Sequence, residues 1–292
     1  MTILIAGANG QVGYELAARA PEAIALGRQQ LDITQADATL DTLRRLRPSL
    51  VINAAAYTAV DKAEKEPEAA YAANRDGVAT LAQGCKELGI PLLHISTDYV
   101  FDGSKPEPYR EDDATSPQGL YARSKCEGEE RLRAILDRHI ILRVSWVFGA
   151  HGANFVKTML RLAKANPALR VVADQRGGPT HAGDIAEALL GLARRYQREG
   201  SLPWGTYHYS GAPATTWHGF ASAIVEGGAA RGLIPAAVPV NPIGTADYPL
   251  PAPRPANSVF DCSRAAQALG LQQPDWRQGL DHMLQRLQEQ NA

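Results

Sequence analysis

Short, almost unbroken apolar runs alternate with longer amphipathic stretches over roughly the first 175 residues. Residues 2–6 (TILIA), 23–26, 50–54 (LVINA), 91–96 (PLLHIS), 140–145 (IILRVS) and 169–173 have the length of strands and too few polar positions for a solvated face. The stretches 12–20, 69–88 and 121–136 carry apolar residues at helical spacing instead. Strands that are apolar on both faces and separated by helices predict a parallel sheet covered on both sides.

Right-handed crossovers make that pattern a doubly wound α/β sheet of the Rossmann type. Two stretches break the rhythm. Residues 101–120 (FDGSKPEPYREDDATSPQGL) are polar and longer than a routine connection, which predicts a flap beside the site. Residues 241–257 contain Pro242, Pro249, Pro251, Pro253 and Pro255 and cannot hold regular structure for long. Beyond the sheet pattern, 217–226 and 276–287 read as helices. The chain is thus expected to divide into a Rossmann domain over 1–175 and a smaller mixed lobe over 176–292, interleaved with the first rather than independent. No internal repeat is seen.

Composition narrows the function classes. At 292 residues and 45% hydrophobic, the chain can bury a large core. A net charge of -1 without a run of like charges argues against nucleic acid as a partner. A small anionic substrate stays open, because a few Arg or Lys side chains suffice to hold a diphosphate. No apolar stretch approaches the roughly 20 residues of a membrane span. The first residues lack the positive region of a signal peptide, so the expected location is cytoplasmic. Cys85, Cys126 and Cys262 are odd in number, far apart and without metal-ligand spacing, as expected of reduced thiols.

Candidate chemistry begins after the first strand, at Gly7-Ala8-Asn9-Gly10-Gln11-Val12-Gly13. Gly7 permits a tight turn, Gly10 lets the backbone approach a pyrophosphate, and Gly13 allows close helix packing. An ordinary turn is the competing account; the position after an N-terminal buried strand favours a dinucleotide. No acid follows the second strand, and Arg28 stands nearby, so NADPH is expected with NADH still possible; a solvated surface Arg explains the residue equally well. Asp32 lies within reach of the adenine side.

Tyr121 and Lys125 fall one turn apart on one face of a helix. Reducing a ketone needs a proton for the developing alkoxide, and a nearby ammonium is expected to pull the phenol down toward the working range. Thr97, at the end of the fourth strand, is placed to donate to the substrate carbonyl oxygen. His181, His208 and His218 show no ligand spacing and are expected to be structural. Trp146 and Phe148 suit either a pocket wall or packing.

With those residues in view, the chain resembles the extended short-chain dehydrogenases, and within them the dTDP-4-dehydrorhamnose reductases. The likeness rests on GANGQVGYEL, VINAAAYTAVDKAE, HISTDYVFDG, YARSK, LRVSWVFG, NFVKTMLRLA, YHYSG and RPANS, and so spans nearly the whole chain. It implies reduction of the 4-keto group of dTDP-4-dehydro-6-deoxy-L-mannose to dTDP-L-rhamnose, with Thr97, Tyr121 and Lys125 as the catalytic set. It also implies cofactor contacts at Gly10, Gln11, Val12, Asp32, Ile33, Ala54, Ala55, Ala56, Tyr57 and Thr58. On the sugar-nucleotide side it implies Thr97, Asp98, Tyr99 and Trp146, with Asn154 and Arg254 more weakly. The identity of the sugar comes from this resemblance alone. Three departures matter: Gly27 stands where some relatives carry an acid, Ala122 replaces a glycine, and Gly183 replaces one partner of Glu15. The last implies no metal site; a monomer or a homodimer is expected. Tyr99, where a dehydratase would need an acid, argues against water loss. An epimerase of the same fold and a non-catalytic nicotinamide-binding regulatory subunit remain as alternatives.

Overall fold

The apolar runs form the central strands of one sheet in the computed structural model, which describes residues 2–291. The elements run β1 (Ile3–Ala6), α1 (Gln11–Arg19), β2 (Ile24–Leu26), α2 (Ala36–Leu46), β3 (Leu50–Asn53), α3 (Val60–Ala63), α4 (Pro67–Tyr71) and α5 (Gly77–Leu88). They continue as β4 (Leu92–Thr97), α6 (Gly119–Ile135), β5 (His139–Val144), β6 (Val147–Phe148), α7 (Phe155–Ala165), β7 (Leu169–Val172), β8 (Arg176–Gly177), β9 (Thr180–His181) and α8 (Ala182–Glu199). After these come β10 (Gly205–His208), β11 (Thr215–Thr216), α9 (Trp217–Ala230), β12 (Val240–Ile243) and α10 (Trp276–Asn291).

Six parallel strands lie in the order β10-β5-β4-β3-β1-β2. The order reverses between β1 and β3, and Ala6 pairs with Asn53 there, so both strands end together and open a crevice. Side chains alternate across the sheet. Ile3 and Ile5 pack on one face with Leu16 of α1 and Leu189 of α8. Leu4 and Ala6 pack on the other with Leu43, Leu81 and Leu132 of α2, α5 and α6. Burying each such Leu or Ile contributes about 1.5–3 kcal/mol, which explains why these runs tolerate so few polar residues.

The structure corrects several expectations. Residues 169–173 do not extend the main sheet: β7 pairs in parallel with β12 in a separate two-stranded sheet. The sixth strand is β10, whose sequence GTYH lacks an apolar run because it covers only an edge, beside β5. The chain past residue 175 supplies β10 and α8, which complete the sheet and its helical layer. It also builds a second core from Phe148, Val156, Phe220, Trp276 and Met283, beneath α7, α9 and α10.

The helix expected over 69–88 is broken by a π-helical turn at Ala72–Asp76. That turn lets Asn74 exchange hydrogen bonds with the Tyr57 backbone (2.9 and 3.0 Å) and donate to Ser124 of α6 (3.0 Å). The widened turn therefore ties the loop after β3 to the helix carrying Tyr121 and Lys125.

Residues 101–120 are not a flap. Phe101 and Tyr109 are buried and stacked 4.2 Å apart, and Tyr109 makes a strand-like bridge to Phe260. Asn257 donates to the carbonyls of Lys105 and Glu107 (2.8 and 3.1 Å), which pins the loop from outside. Two buried aromatics outweigh the polar composition of the segment. Among the described residues, no helix is long and apolar enough to cross a membrane.

Candidate active site

The crevice between β1 and β3 is floored by the glycine turn. Gly7 has φ +85°, and a Cβ on it would lie 2.4 Å from the Ala55 nitrogen, so only glycine brings these two loops together. Gly13 serves packing, as a Cβ there would strike the Gly7 carbonyl oxygen at 2.0 Å. The α1 N-cap, Gly10, offers no side-chain cap, which leaves first-turn N–H groups for an anion.

Two adjoining cavities of about 690 Å³ each follow from this turn. Asn9, Gly10, Ala54, Ala55, Ala56 and Thr58 line both. Gly7, Arg28, Asp32, Ile33 and Tyr57 line only the first, at the β2 side. There the mostly exposed Arg28 donates to Asp32 at 3.3 Å. Burial opposes the Asp32 charge, but the Thr34 N–H and hydroxyl and Arg28 outweigh it and hold the carboxyl below its usual range. The elongated double cavity and the uncapped helix fit a dinucleotide.

The second cavity collects Gln11, Val12, Thr97, Asp98, Tyr99, Tyr121, Lys125, Trp146 and Asn154. It joins elements distant in sequence: the end of β4, the first turns of α6, and the segment after β5. Asn154 caps α7 at Lys157 and donates to Gln11 (3.0 Å), which holds this wall against the glycine turn. Arg254 is not brought in. It pairs with Asp61 at 2.7 Å and lines a third cavity, of about 600 Å³, on the far side of Tyr99.

Tyr121 and Lys125 share one face of α6, as expected, yet the phenol is not acidified. Burial pushes Tyr121 up to about 12, with the Thr97 hydroxyl pulling the other way and the Asp98 charge raising it. Burial lowers Lys125 to about 8, and its Nζ donates to the Ile95 carbonyl oxygen at 2.7 Å. Burial dominates at Tyr121 in place of the expected ammonium effect, and the Lys125 Nζ is turned toward β4. Thr97 likewise does not present a free donor: its hydroxyl donates to Asp98 Oδ1 (3.1 Å) and accepts from the Tyr99 N–H (3.3 Å). Asp98 is raised by burial to about 6, and its Oδ2 has no hydrogen-bond partner. An unmet, enclosed carboxylate oxygen at a cavity wall suits a hydroxyl-bearing ligand.

Three residues here escaped the sequence reading. Trp217 stacks on Trp146 with ring centroids 3.6 Å apart and planes 7° from parallel, and it lines the same cavity. Trp146 has φ +46°, a left-handed conformation that a bulky residue adopts only under constraint. Nothing in the spacing around Trp217 signals this role. Asn53 and His94, both fully buried, lie behind Lys125: His94 Nε2 is 3.4 Å from Lys125 Nζ, and His94 Nδ1 is 3.0 Å from Asn53 Nδ2. Their signal was present, since each is a polar residue directly following a run of apolar strand positions, Leu50–Ile52 and Leu92–Leu93. Of the histidines, His208 is sandwiched between the Tyr109 carbonyl and Arg143, His218 meets the Val240 carbonyl, and His181 is buried without a hydrogen-bond partner for either ring nitrogen. Phe148 belongs to the second core.

Comparison with known proteins gives one consistent result. Residues 1–289 match the family model described as RmlD substrate binding domain. A dTDP-4-dehydrorhamnose reductase from Aggregatibacter actinomycetemcomitans is 45% identical over 286 residues, covering 96% of this chain and 97% of its own. The crystal structure of a dTDP-4-dehydrorhamnose reductase from Clostridium acetobutylicum superposes with a TM-score of 0.91 at 37% identity, over 99% and 100% of the two chains. A dTDP-4-dehydrorhamnose reductase from Bacillus anthracis, solved in complex with NADP, gives 0.88 at 34% identity, over 98% and 99%.

Proposed function

We propose that this chain, which belongs to the RmlD substrate binding domain family, is an NADPH-dependent oxidoreductase that reduces the 4-keto group of dTDP-4-dehydro-6-deoxy-L-mannose to give dTDP-L-rhamnose. The observation that carries this reading is the convergence of Tyr121, Lys125, Thr97 and Asp98 on one cavity that opens from the glycine turn. Full-length likeness to reductases of that name, one of them holding NADP, supplies the substrate and cofactor class.

When bound, a nicotinamide would supply the hydride. The N–H groups at the start of α1 would hold the pyrophosphate, and the cavity bearing Arg28, Asp32 and Ile33 the adenosine end. Tyr121 donates the proton to the oxygen of the reduced carbonyl. A phenol held near 12 is neutral at working pH, which is the form a donor needs, and it remains a stronger acid than the alcohol it creates. Thr97 fixes the Asp98 carboxylate and bears on the phenol, while Asp98 Oδ2 accepts from a sugar hydroxyl. The Trp146–Trp217 stack walls the sugar side, and Lys125 holds ribose hydroxyls from beneath.

Spectrophotometric assay of NADPH oxidation tests the reading. Oxidation should require the 4-keto sugar nucleotide and should be absent with the corresponding 4-hydroxy compound. Well-folded protein that binds NADPH but leaves the keto sugar unreduced would favour a regulatory subunit.

A further inference from the structure

We propose that Asn53 and His94 are positioning residues that hold Lys125 as a free amine, through a buried chain of hydrogen bonds whose direction is dictated by the backbone. At the far end of the chain, the Ala55 N–H donates to Asn53 Oδ1 at 3.0 Å. A backbone N–H can only donate, so the carboxamide oxygen must face it, and the NH2 group must face His94. His94 Nδ1, 3.0 Å from that NH2, is therefore the acceptor. A neutral imidazole with an accepting Nδ1 carries its proton on Nε2. That N–H points at Lys125 Nζ, 3.4 Å away.

An ammonium has three donors and no lone pair, so a protonated Lys125 would set N–H against N–H. A free amine accepts from His94 Nε2 and still donates to the Ile95 carbonyl at 2.7 Å. Asn53 and His94 are 0% exposed and Lys125 is 2% exposed, so water does not relieve the mismatch. Burial acts in the same sense, lowering Lys125 to about 8. His94 is held well below its ordinary value first of all by burial, so the ring stays neutral, and any charge on Lys125 would only lower it further. The other titratable groups near Lys125 are Glu129 and Tyr121 on α6, and Asp98 beyond Tyr121. Of these, Glu129 favours the charged lysine, but Arg143 binds it through three contacts of 2.6–3.2 Å.

For turnover the consequence rests on the reductase reading: steps that need charged Lys125 fade as pH rises past its midpoint, so a tautomer outside the cavity sets the alkaline limb. The test itself needs no turnover. In protein labelled with 15N-histidine and free of ligand, the His94 resonances, assigned with His94→Gln, should show the proton on Nε2; a proton on Nδ1 overturns the proposal. In Asn53→Asp, a carboxylate oxygen replaces the NH2 opposite Nδ1 and draws the ring proton to that side. Nε2 then accepts from an ammonium, and the Lys125 midpoint, followed by NMR of its side-chain carbon, should rise by about one unit or more. His94→Phe removes the opposing N–H without adding charge, and should also raise the midpoint. A midpoint that stays or falls in both variants overturns the proposal, because burial alone would leave it there. Should either variant fail to fold, the tautomer of the parent protein decides by itself. If these shifts appear in protein that does not reduce the keto sugar, the functional reading falls and the chain stands.

Discussion

Substituting Gly177 by alanine strikes the aromatic wall of the cavity without touching the cavity itself. Gly177 on β8 pairs with Thr215 on β11, and Trp217 follows directly, so this small sheet holds the Trp146 indole between a bare backbone and a second indole. A Cβ at 177 would lie 2.4 Å from Trp146 Cε2 and 2.6 Å from Nε1. Ordinary contact begins about 1 Å further out. The indole cannot retreat, because Trp217 stacks on its other face at 3.6 Å. Overpacking of this kind costs about 1–3 kcal/mol, read as a fall in the urea midpoint. The larger effect should be kinetic. A displacement of about 1 Å in a substrate wall can cost as much as 100-fold, so kcat/KM for the keto sugar should fall about 10- to 100-fold. The dissociation constant of NADPH, whose adenosine end and pyrophosphate would rest on residues away from Trp146, should change by no more than about twofold. Tryptophan fluorescence should shift as the stack is disturbed. Lost stability with unchanged kcat/KM would refute this reasoning and return Trp146 to a packing role.

Two further outcomes follow from the electrostatics. Asp98 titrates near 6 when folded against 3.8 ordinarily, so the unfolded chain ionises first and stability falls as pH rises from about 4 to 6. Above 6 the buried carboxylate costs on the order of 3 kcal/mol, so Asp98→Asn should be more stable than the parent at pH 8 and equal to it near pH 3; equal urea midpoints at both would contradict this. Arg28 is mostly exposed and already pairs with Asp32, so Arg28→Ala should raise KM for NADPH by only about 3- to 10-fold, and KM for NADH by less. Equal effects on the two cofactors would mark Arg28 as a surface charge.

Much of the frame was legible because it rests on local chemistry. TILIA, LVINA and IILRVS became β1, β3 and β5, since burial on both faces leaves no choice but apolar residues. The glycine turn was legible because Gly7 answers a conformational need that other residues meet poorly. What stayed hidden depends on contacts between distant segments. β10 lies past residue 175 and completes the first sheet, and its pairing with β5 leaves no trace in GTYH. The polar segment 101–120 was expected to be a flap beside the site, but its two aromatics find buried partners more than 95 residues away, in His208 and Phe260. Thr97, singled out by its place at a strand end, and Tyr121 and Lys125, by type and spacing, line one cavity, whereas the phenol expected to be acidified is instead raised by burial. A charge effect can be guessed from spacing; the desolvation that opposes it is a property of the assembled core.

NADPH carrying deuterium at the transferable position of its nicotinamide tests most directly whether a hydride reaches the sugar carbonyl while Tyr121 supplies the proton, with the product examined by NMR and mass spectrometry. Deuterium should appear at C4 of the sugar with the parent protein, and Tyr121→Phe should bind NADPH normally yet form almost no labelled product. Label lost to solvent, or a Tyr121→Phe variant that labels C4 at the parent rate, would contradict the assignment.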